Sequence, residues 1–387
     1  MRAVVRWIVV GLVVVHGLLH LLGAVEGFGL ADVPALEEPI SPTTGAVWLT
    51  AGVLLVGTGW LLAARSRWWW AVGAVAVVVS QALIFTSWSD AKAGTAVNAV
   101  LLLAVGYGFA AQGPTSFRWE YRHRAETALA EPVPDGVITE DDLADLPEPV
   151  ARYLRRAGAV GQPVVGNMRV RIHGRIRSGP RKPWMRFTGE QVNTFGPNPT
   201  RLFLLDASMM GLPVDVLHVF ADESATMRAS VCSIVPTVRS SGPDMDRAET
   251  VTLFNDLCLM APGALVHAPV RWEVVDDDWV RGAFTVGGHT VRADLFFDAA
   301  GELVDFVSDD RLRASPDGRS FTRQRWSTPV RGYRILGNWW LAAGGESRWH
   351  APAPEGEFAY GEIAIDKVSY NLSPTRSHSH RRLALRS

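Results

Sequence analysis

The chain has 387 residues with 38 basic and 39 acidic side chains, a formal net charge of −1. No global field draws it to nucleic acid or to acidic partners. Its two cysteines, Cys232 and Cys258, stand outside any CxxC pair and are too few for a disulfide scaffold.

Charge is spread unevenly, and the length allows two or three domains. Residues 1–113 are dominated by Val, Leu, Ala, Gly and Trp, whereas 114–387 hold nearly all the Arg, Asp and Glu. Four apolar runs, 4–25, 45–64, 68–88 and 94–111, each approach the roughly 20 residues that cross a bilayer core. The first is interrupted by two histidines and lacks a good small-x-small site before Ala24, so an uncleaved span is expected. Arg2 and Arg6 precede it. Glu26, Asp32, Glu37 and Glu38 fill the first loop, Arg65 and Arg67 the second, Asp90 and Lys92 the third. Arg118, Arg122 and Arg124 follow the fourth run. This alternation predicts a multi-pass protein of the plasma membrane with both termini cytoplasmic.

Polar residues inside spans are costly and therefore informative. His16 and His20 lie one turn apart and share a face. Ser80 and Gln81 lie in the third run; Thr95 and Asn98 open the fourth, after Asp90. In the predicted orientation all fall in the outer half of the bundle. They are read either as interhelical hydrogen bonds or as a small polar site. A metal there would need a third ligand beside the two histidines, from Asp90 or Glu26, and no metal site is assigned. No second span supplies a histidine for a haem.

Residues 112–138 have linker chemistry, including Gln-Gly-Pro and Pro-Val-Pro-Asp-Gly. Thr139 with the acids after it fits a helix start. A short helix breaks near Pro147, and a second runs to Arg156 and stops at Gly158. Arg152, Arg155 and Arg156 line one side of it, as a solvated face or a contact to anionic lipid heads. From Val164 the period becomes two. Over 168–177 apolar residues alternate with Arg169, Arg171, His173, Arg175 and Arg177, the mark of a half-buried antiparallel strand. Further strands are expected near 184–188, 201–205, 214–220 and 225–231. After a helix they resume near 270–275, 280–286, 290–297, 303–307, 321–326, 333–336, 339–342 and 358–370. Short turns between them, one of them over 315–318, imply a meander, and so many strands must curl or split to bury a face. The helix is expected over 246–260, with Asp246 and Glu249 at capping-box spacing and Val251, Phe254, Leu257 and Cys258 on one face. Cys232, in a strand-like run, and Cys258 read as two buried thiols. Residues 373–387 are a basic tail, expected to be disordered.

The expected architecture is thus a four-helix transmembrane bundle (1–113), a linker (114–138) and a mainly β domain (139–372). The β domain is a curled antiparallel meander with one helix packed on it and a short helical lead-in. There is no GxGxxG, Walker A, HExxH, GxSxG or CxxC motif, and no cofactor is assigned. Three features remain as ligand-binding candidates. One is the helix with Glu249, Asn255 and Asp256. Another is Arg311 after Asp309 and Asp310, suited to clamp a carboxylate or phosphate. The third is the apolar turn Met209-Met210, suited to a flexible ligand or membrane contact.

Several segments carry a resemblance: His20-Leu-Leu-Gly23, Trp88-Ser-Asp-Ala-Lys-Ala-Gly-Thr95, Glu249-Thr-Val-Thr-Leu-Phe-Asn-Asp256, Asp309-Asp-Arg311 and Tyr370-Asn371. On these the chain resembles an uncharacterised bacterial membrane-protein family, defined only as a domain of unknown function. The β half also resembles the curled-sheet-plus-helix fold of bacterial lipoprotein carriers, which hold acyl chains between sheet and helix. Those carriers work outside the cytoplasm, so the predicted orientation implies a different task. The leading expectation is a membrane-anchored binding module for a lipid or other apolar or amphiphilic ligand at the cytoplasmic face, its partner being the bilayer. The alternatives are an enzyme with acid–base chemistry on Glu249, Asp256 and Arg311, and a sensory or transport-like bundle using His16, His20 and Asn98.

Overall fold

The computed structural model describes residues 3–34, 36, 38–315 and 318–373. Arg2, Glu37, the middle of the 315–318 turn and the tail beyond 373 lie outside the described residues. The chain forms two compact units, Met1–Trp119 and Glu120–Ser387.

The first unit contains helices α1 (Ala3–Gly27), α2 (Pro42–Ala63), α3 (Trp69–Thr86), α4 (Trp88–Ala91) and α5 (Gly94–Gln112). Four of its helices are long and apolar enough to cross a membrane, by length and composition. The start of α2 is set locally: Ser41 accepts the Thr44 N–H and Pro42 occupies the first turn. Glycines let α1 and α2 pack backbone to backbone. A Cβ on Gly27 would sit 2.7 Å from the Gly45 Cα, and one on Gly23 would meet the Trp48 ring at 2.5 Å. Val13, Leu55, Ala76 and Leu101 meet inside the unit.

Part of the segment read as linker is helical: α6 spans Phe117–Ala128. Its order comes from an i,i+4 pair, Glu120 with Arg124, and from Tyr121, Ala125 and Ala128 sharing a buried side. The Thr139 region makes only a single 3₁₀ turn, Asp141–Leu143, because the Asp142 carboxylate accepts both the N–H and the hydroxyl of Thr139 at 2.7 Å. Helix α7 (Glu148–Ala157) ends on Gly158, whose φ of +80° suits glycine. Tyr153 on α7 is fully buried and donates to the Cys258 carbonyl at 2.8 Å. The arginine row on α7 makes contacts within the protein: Arg155 pairs with Glu140 and Glu148, Arg156 with Glu302, and Arg152 donates to the Asp277 carbonyl.

The strands fall in two blocks. The first is β1 (Asn167–Ile176), β2 (Met185–Thr194), β3 (Thr200–Met209), β4 (Leu212–Ala221), β5 (Ser224–Val231) and β6 (Val235–Ser241). Helices α8 (Pro243–Met260) and α9 (Pro262–Leu265) follow. The second block begins with β7 (Val270–Asp276), β8 (Trp279–Val286), β9 (His289–Phe297) and β10 (Leu303–Ser308). It continues through β11 (Leu312–Ala314), β12 (Phe321–Arg323), β13 (Trp326–Ser327), β14 (Val330–Leu336), β15 (Trp339–His350) and β16 (Glu357–Tyr370). Strand β6 is not among the expected strands. It is an edge strand whose Pro236 sits at a register shift, the position where a sheet tolerates proline.

Among the described residues one antiparallel sheet has fourteen strands, in the order β6-β5-β4-β3-β2-β1-β16-β15-β13-β10-β9-β8-β7, with β14 on β15. Two meanders are therefore fused through the pairing of β1 with β16, across which Met168 faces Tyr370. Helix α8 leaves one edge strand and leads, through α9, to the other. Laid flat, the thirteen strands of that path would span about 58 Å at about 4.8 Å per gap. The 18-residue helix is about 27 Å long. The sheet curls around the helix, and the chain closes. Phe254 of α8 is fully buried, with its ring 5.1 Å from Phe284 and 5.3 Å from Phe306 in the second block. On the other side, Asp246 accepts the Ala225 N–H at 2.6 Å.

That last bond corrects the capping-box expectation. The helix starts three residues earlier, at Pro243, and Asp246 and Glu249 reach across to the sheet instead of back to their own backbone. A second correction concerns Cys232. It lies in the β5–β6 turn with φ +54° and is half-buried, whereas Cys258 is fully buried. In β1 the alternation holds: Met168, Val170 and Ile172 are buried, Arg171, His173 and Arg175 exposed.

Candidate functional site

Glu249 and Asp256 lie seven residues apart on α8, two turns, and so share one side of it. Facing them are Gln191 and Asn193, alternate residues of β2, and Arg201 at the start of β3. Arg201 donates through Nε to Asp256 Oδ2 at 2.6 Å and through Nη1 to Glu249 Oε2 at 2.9 Å. The same Asp256 oxygen accepts from Gln191 at 2.6 Å and Asn193 at 3.3 Å. Arg311 donates to the Ala248 carbonyl and to Glu249 Oε1, the latter at 3.4 Å. The Arg201, Glu249 and Asp256 side chains are 6%, 3% and 7% exposed.

Two carboxylates and two guanidiniums thus share a dry site and cancel in charge. Burial alone would push the Glu249 carboxyl up, but Arg201 and then Arg311 outweigh it and hold it at about 2. Burial works against the Arg201 charge too, and Asp256 and Glu249 more than restore it. His218 of β4 stands beside the group, its Nδ1 3.9 Å from Glu249 Oε2 and without a hydrogen-bond partner. Desolvation lowers it to about 4. The buried Nε of Arg311 also lacks a partner.

The structure therefore brings together Glu249, Asp256 and Arg311, and adds Arg201, Gln191, Asn193 and His218, which the sequence reading missed. The available signal was parity: Gln191 and Asn193 share the face of β2 that carries buried Phe187. Asn255 points elsewhere and donates to Thr328 at 2.6 Å. The Asp309-Asp310-Arg311 run splits. Asp309 pairs with Arg325 at the surface, while buried Asp310 takes Arg247, Arg323 and the Arg292 N–H. Met209 and Met210 sit at the β3–β4 turn, outside this group, with Met210 89% exposed.

A second polar group lies in the helical unit. Ser80 Oγ is 2.9 Å from His20 Nε2 and 3.3 Å from His16 Nε2, and His16 Nε2 is 3.2 Å from Asn98 Oδ1. Asn98 donates to Ser80 at 3.0 Å and to Gln81 at 3.1 Å, and Gln81 donates to Thr95 at 3.1 Å. Asp90, expected in this group, instead accepts the Glu38 N–H at 3.2 Å, because it lies on the short helix beyond α3. Glu26 is engaged with the Val33 N–H at 2.7 Å. Among the described residues no group of three His, Cys, Asp or Glu is placed to hold a metal ion.

No curated protein matches the chain. Solved structures give distant likenesses. A putative outer membrane lipoprotein-sorting protein domain from Vibrio parahaemolyticus has a TM-score of 0.32 at 10% identity, covering 53% of this chain and 85% of that one. A LolA superfamily protein from Nitrosomonas europaea has 0.32 at 10%, covering 56% and 91%. A DUF1329 family protein from Desulfovibrio piger has 0.34 at 11%, covering 58% and 91%. Residues 136–363, from the lead-in through most of the curled sheet, match a family of unknown function, DUF6544, and the chain belongs to that family.

Proposed function

We propose that this protein is a membrane-anchored binding module whose curled β unit receives an apolar or amphiphilic molecule. The observation that supports it is how the interior divides. Around α8 the interior is aromatic: Phe254 of the helix meets Phe284 and Phe306 of the sheet, and Phe306 meets Trp326. Glu249 and Asp256 gather with Arg201 and Arg311 into one group, where they neutralise one another. An aromatic interior of this kind is compatible with hydrocarbon, and the charged group ties the helix to β2 and β3. The acid–base alternative draws less support, since both oxygens of the Glu249 carboxylate are engaged by Arg201 and Arg311, which leaves it without a proton to give and makes it a weak base.

The anchoring rests on the outward faces of the helical unit. Trp60, Val78, Phe85 and Leu103 are 68%, 68%, 67% and 76% exposed, an apolar perimeter that water would penalise and hydrocarbon would not. With loop charge, this favours four spans with both ends of the present sequence cytoplasmic. Reporter fusions after Arg67 and Arg124 are expected to signal cytoplasm, and one after Glu38 the outside. An external signal from the Arg124 fusion would reverse the orientation.

The binding reading is tested on the full chain with a photoactivatable fatty acid. Cross-linked peptides are expected from α8 and from β8 to β10. Cross-links confined to residues before Glu120 would refute it. The polar group of α1, α3 and α5 keeps the sensory or transport-like alternative in play. That alternative gains if His16→Ala and His20→Ala leave the fold intact yet change a proton or solute flux across vesicles.

A further inference from the structure

One end of the first strand block has a surface chemistry unlike the rest. The registers place three turns side by side there. Ile176 faces Met185, Arg186 faces Ser208, Met209 faces Leu212, Val214 faces Val231, and Val231 faces Val235. The β1–β2, β3–β4 and β5–β6 turns are therefore neighbours. On two of them the tips are apolar and bare: Met210 is 89% exposed, Ile234 60%, Val235 56% and Leu212 48%. No charged residue occurs from 208 to 214 or from 230 to 238. The third turn is cationic. Arg181 and Lys182 are exposed and make no salt bridge among the described residues, and Arg177 stacks on Trp184 at 4.4 Å. The opposite end of the same strands is acidic, with Asp222 and Glu223 exposed at the β4–β5 turn.

We infer that the three turns form a docking edge for an anionic lipid bilayer. The apolar tips enter the interface while Arg181 and Lys182 meet the headgroup phosphates. Charge complementarity selects this occupant. A protein partner needs a continuous surface of matching shape, whereas a bilayer accepts separate protruding side chains, and it favours Trp and cations beside them. The bilayer is supplied by the spans of the same chain, so the inference rests on the membrane-spanning part of the reading above. It is independent of any bound ligand.

The test uses the full chain carrying Cys232→Ala and Met210→Cys, labelled with an environment-sensitive fluorophore. The control carries Cys232→Ala and Asp222→Cys. Each is reconstituted in phosphatidylcholine vesicles with or without phosphatidylglycerol, containing a spin-labelled quencher lipid. The probe at position 210 is expected to shift to the blue and be quenched in the anionic vesicles, and the probe at 222 to do neither. Adding Arg181→Glu and Lys182→Glu should lower the docked-to-undocked ratio by about fivefold or more for each cation removed. A position-210 probe as solvent-like as the control in anionic vesicles overturns the inference. So does a blue shift that persists in lipid-free detergent and grows with protein concentration, which would mark contact between copies. Carbonate extraction of the same vesicles reads the spans separately. A chain stripped by carbonate refutes the anchoring, while the quenching recorded before the wash decides the docking edge.

Discussion

The two units each bury a polar network, and they build it from different chemistry. In the helical unit the network is made of two imidazoles, two hydroxyls and two carboxamides, with neither a carboxylate nor a guanidinium among its described members. In the β unit it is made of Glu249, Asp256, Arg201 and Arg311, with Gln191 and Asn193 completing the hydrogen bonds. An unpaired ion is prohibitive in either interior. The β unit offers a rigid strand and a rigid helix that hold opposite charges in contact. The helical unit relies on hydrogen bonds whose loss costs little, because a polar group inside an apolar bundle finds other partners. The β-unit network should therefore fail abruptly when one member is removed, and the helical-unit network gently.

The largest effect is expected where no polar partner exists. Phe254→Asp places a charge among Phe284, Phe306 and Trp272, a cost of several kcal/mol against a whole-domain stability of about 5–15 kcal/mol. Thermal melting or limited proteolysis of the full chain should show the β unit unfolded and the helical unit intact. A wild-type melt would mean that α8 is not the centre of this core.

Arg201→Ala comes next. It leaves Asp256 without its cation and Glu249 with Arg311 alone, and is expected to cost about 3–5 kcal/mol. Combining Arg201→Met with Glu249→Gln and Asp256→Asn should restore most of that loss. If the triple variant is no more stable than the single one, the network is not held together by charge pairing.

Acid is the third way in. Glu249 is lowered from 4.5 to about 2 on folding, so its stabilisation is complete above pH 4.5 and is lost as pH falls toward 2. His218 is lowered from 6.5 to about 4, so the folded state resists its protonation and loses stability as pH drops below 6.5. The β unit should weaken in two stages on acidification, first through His218 and then through Glu249. Glu249→Gln should remove the second stage, and His218→Phe the first; melting curves across this pH range decide it.

Ser80→Ala, in the helical unit, should cost about 0.6–2 kcal/mol in detergent unfolding, the scale of interhelical hydrogen bonds in membranes. A loss as large as that of Arg201→Ala would erase the contrast between the two networks. Arg171→Ala, on the outer face of β1 beside Glu190, should change stability by no more than about 1 kcal/mol.

Much of this architecture is written in local pattern. The apolar runs, the alternation from Met168 to Ile172, the stop at Gly158 and the apolar face around Phe254 are properties of short windows, and each appears in the structure near its expected place. What local pattern misled about is equally specific. Asp246 and Glu249 have the spacing of a capping box, yet they bond to Ala225 and Arg201, because a helix lying against a sheet has better partners across the interface than along its own backbone. Cys232 sits in an apolar run that turns a corner, and hydrophobicity alone does not separate a strand from the apolar tip that follows it. Asp90 is close in sequence to Asn98, but a break after Thr86 takes it away from the polar group.

Sequence by itself determined which segments are apolar helices, where most of the strands lie, and that Phe254 and its neighbours on α8 must be buried, since these depend on periods of 3.6 and 2 that neighbouring side chains reveal. It also placed acids on α8. Only the tertiary structure decided that β1 pairs with β16, that the edges of the sheet are bridged by α8, and that Arg201 is the cation between Glu249 and Asp256. Arg201 lies 48 and 55 residues from those two acids. A contact across such a separation is set by the curl of the whole sheet, and no short stretch of sequence contains that information.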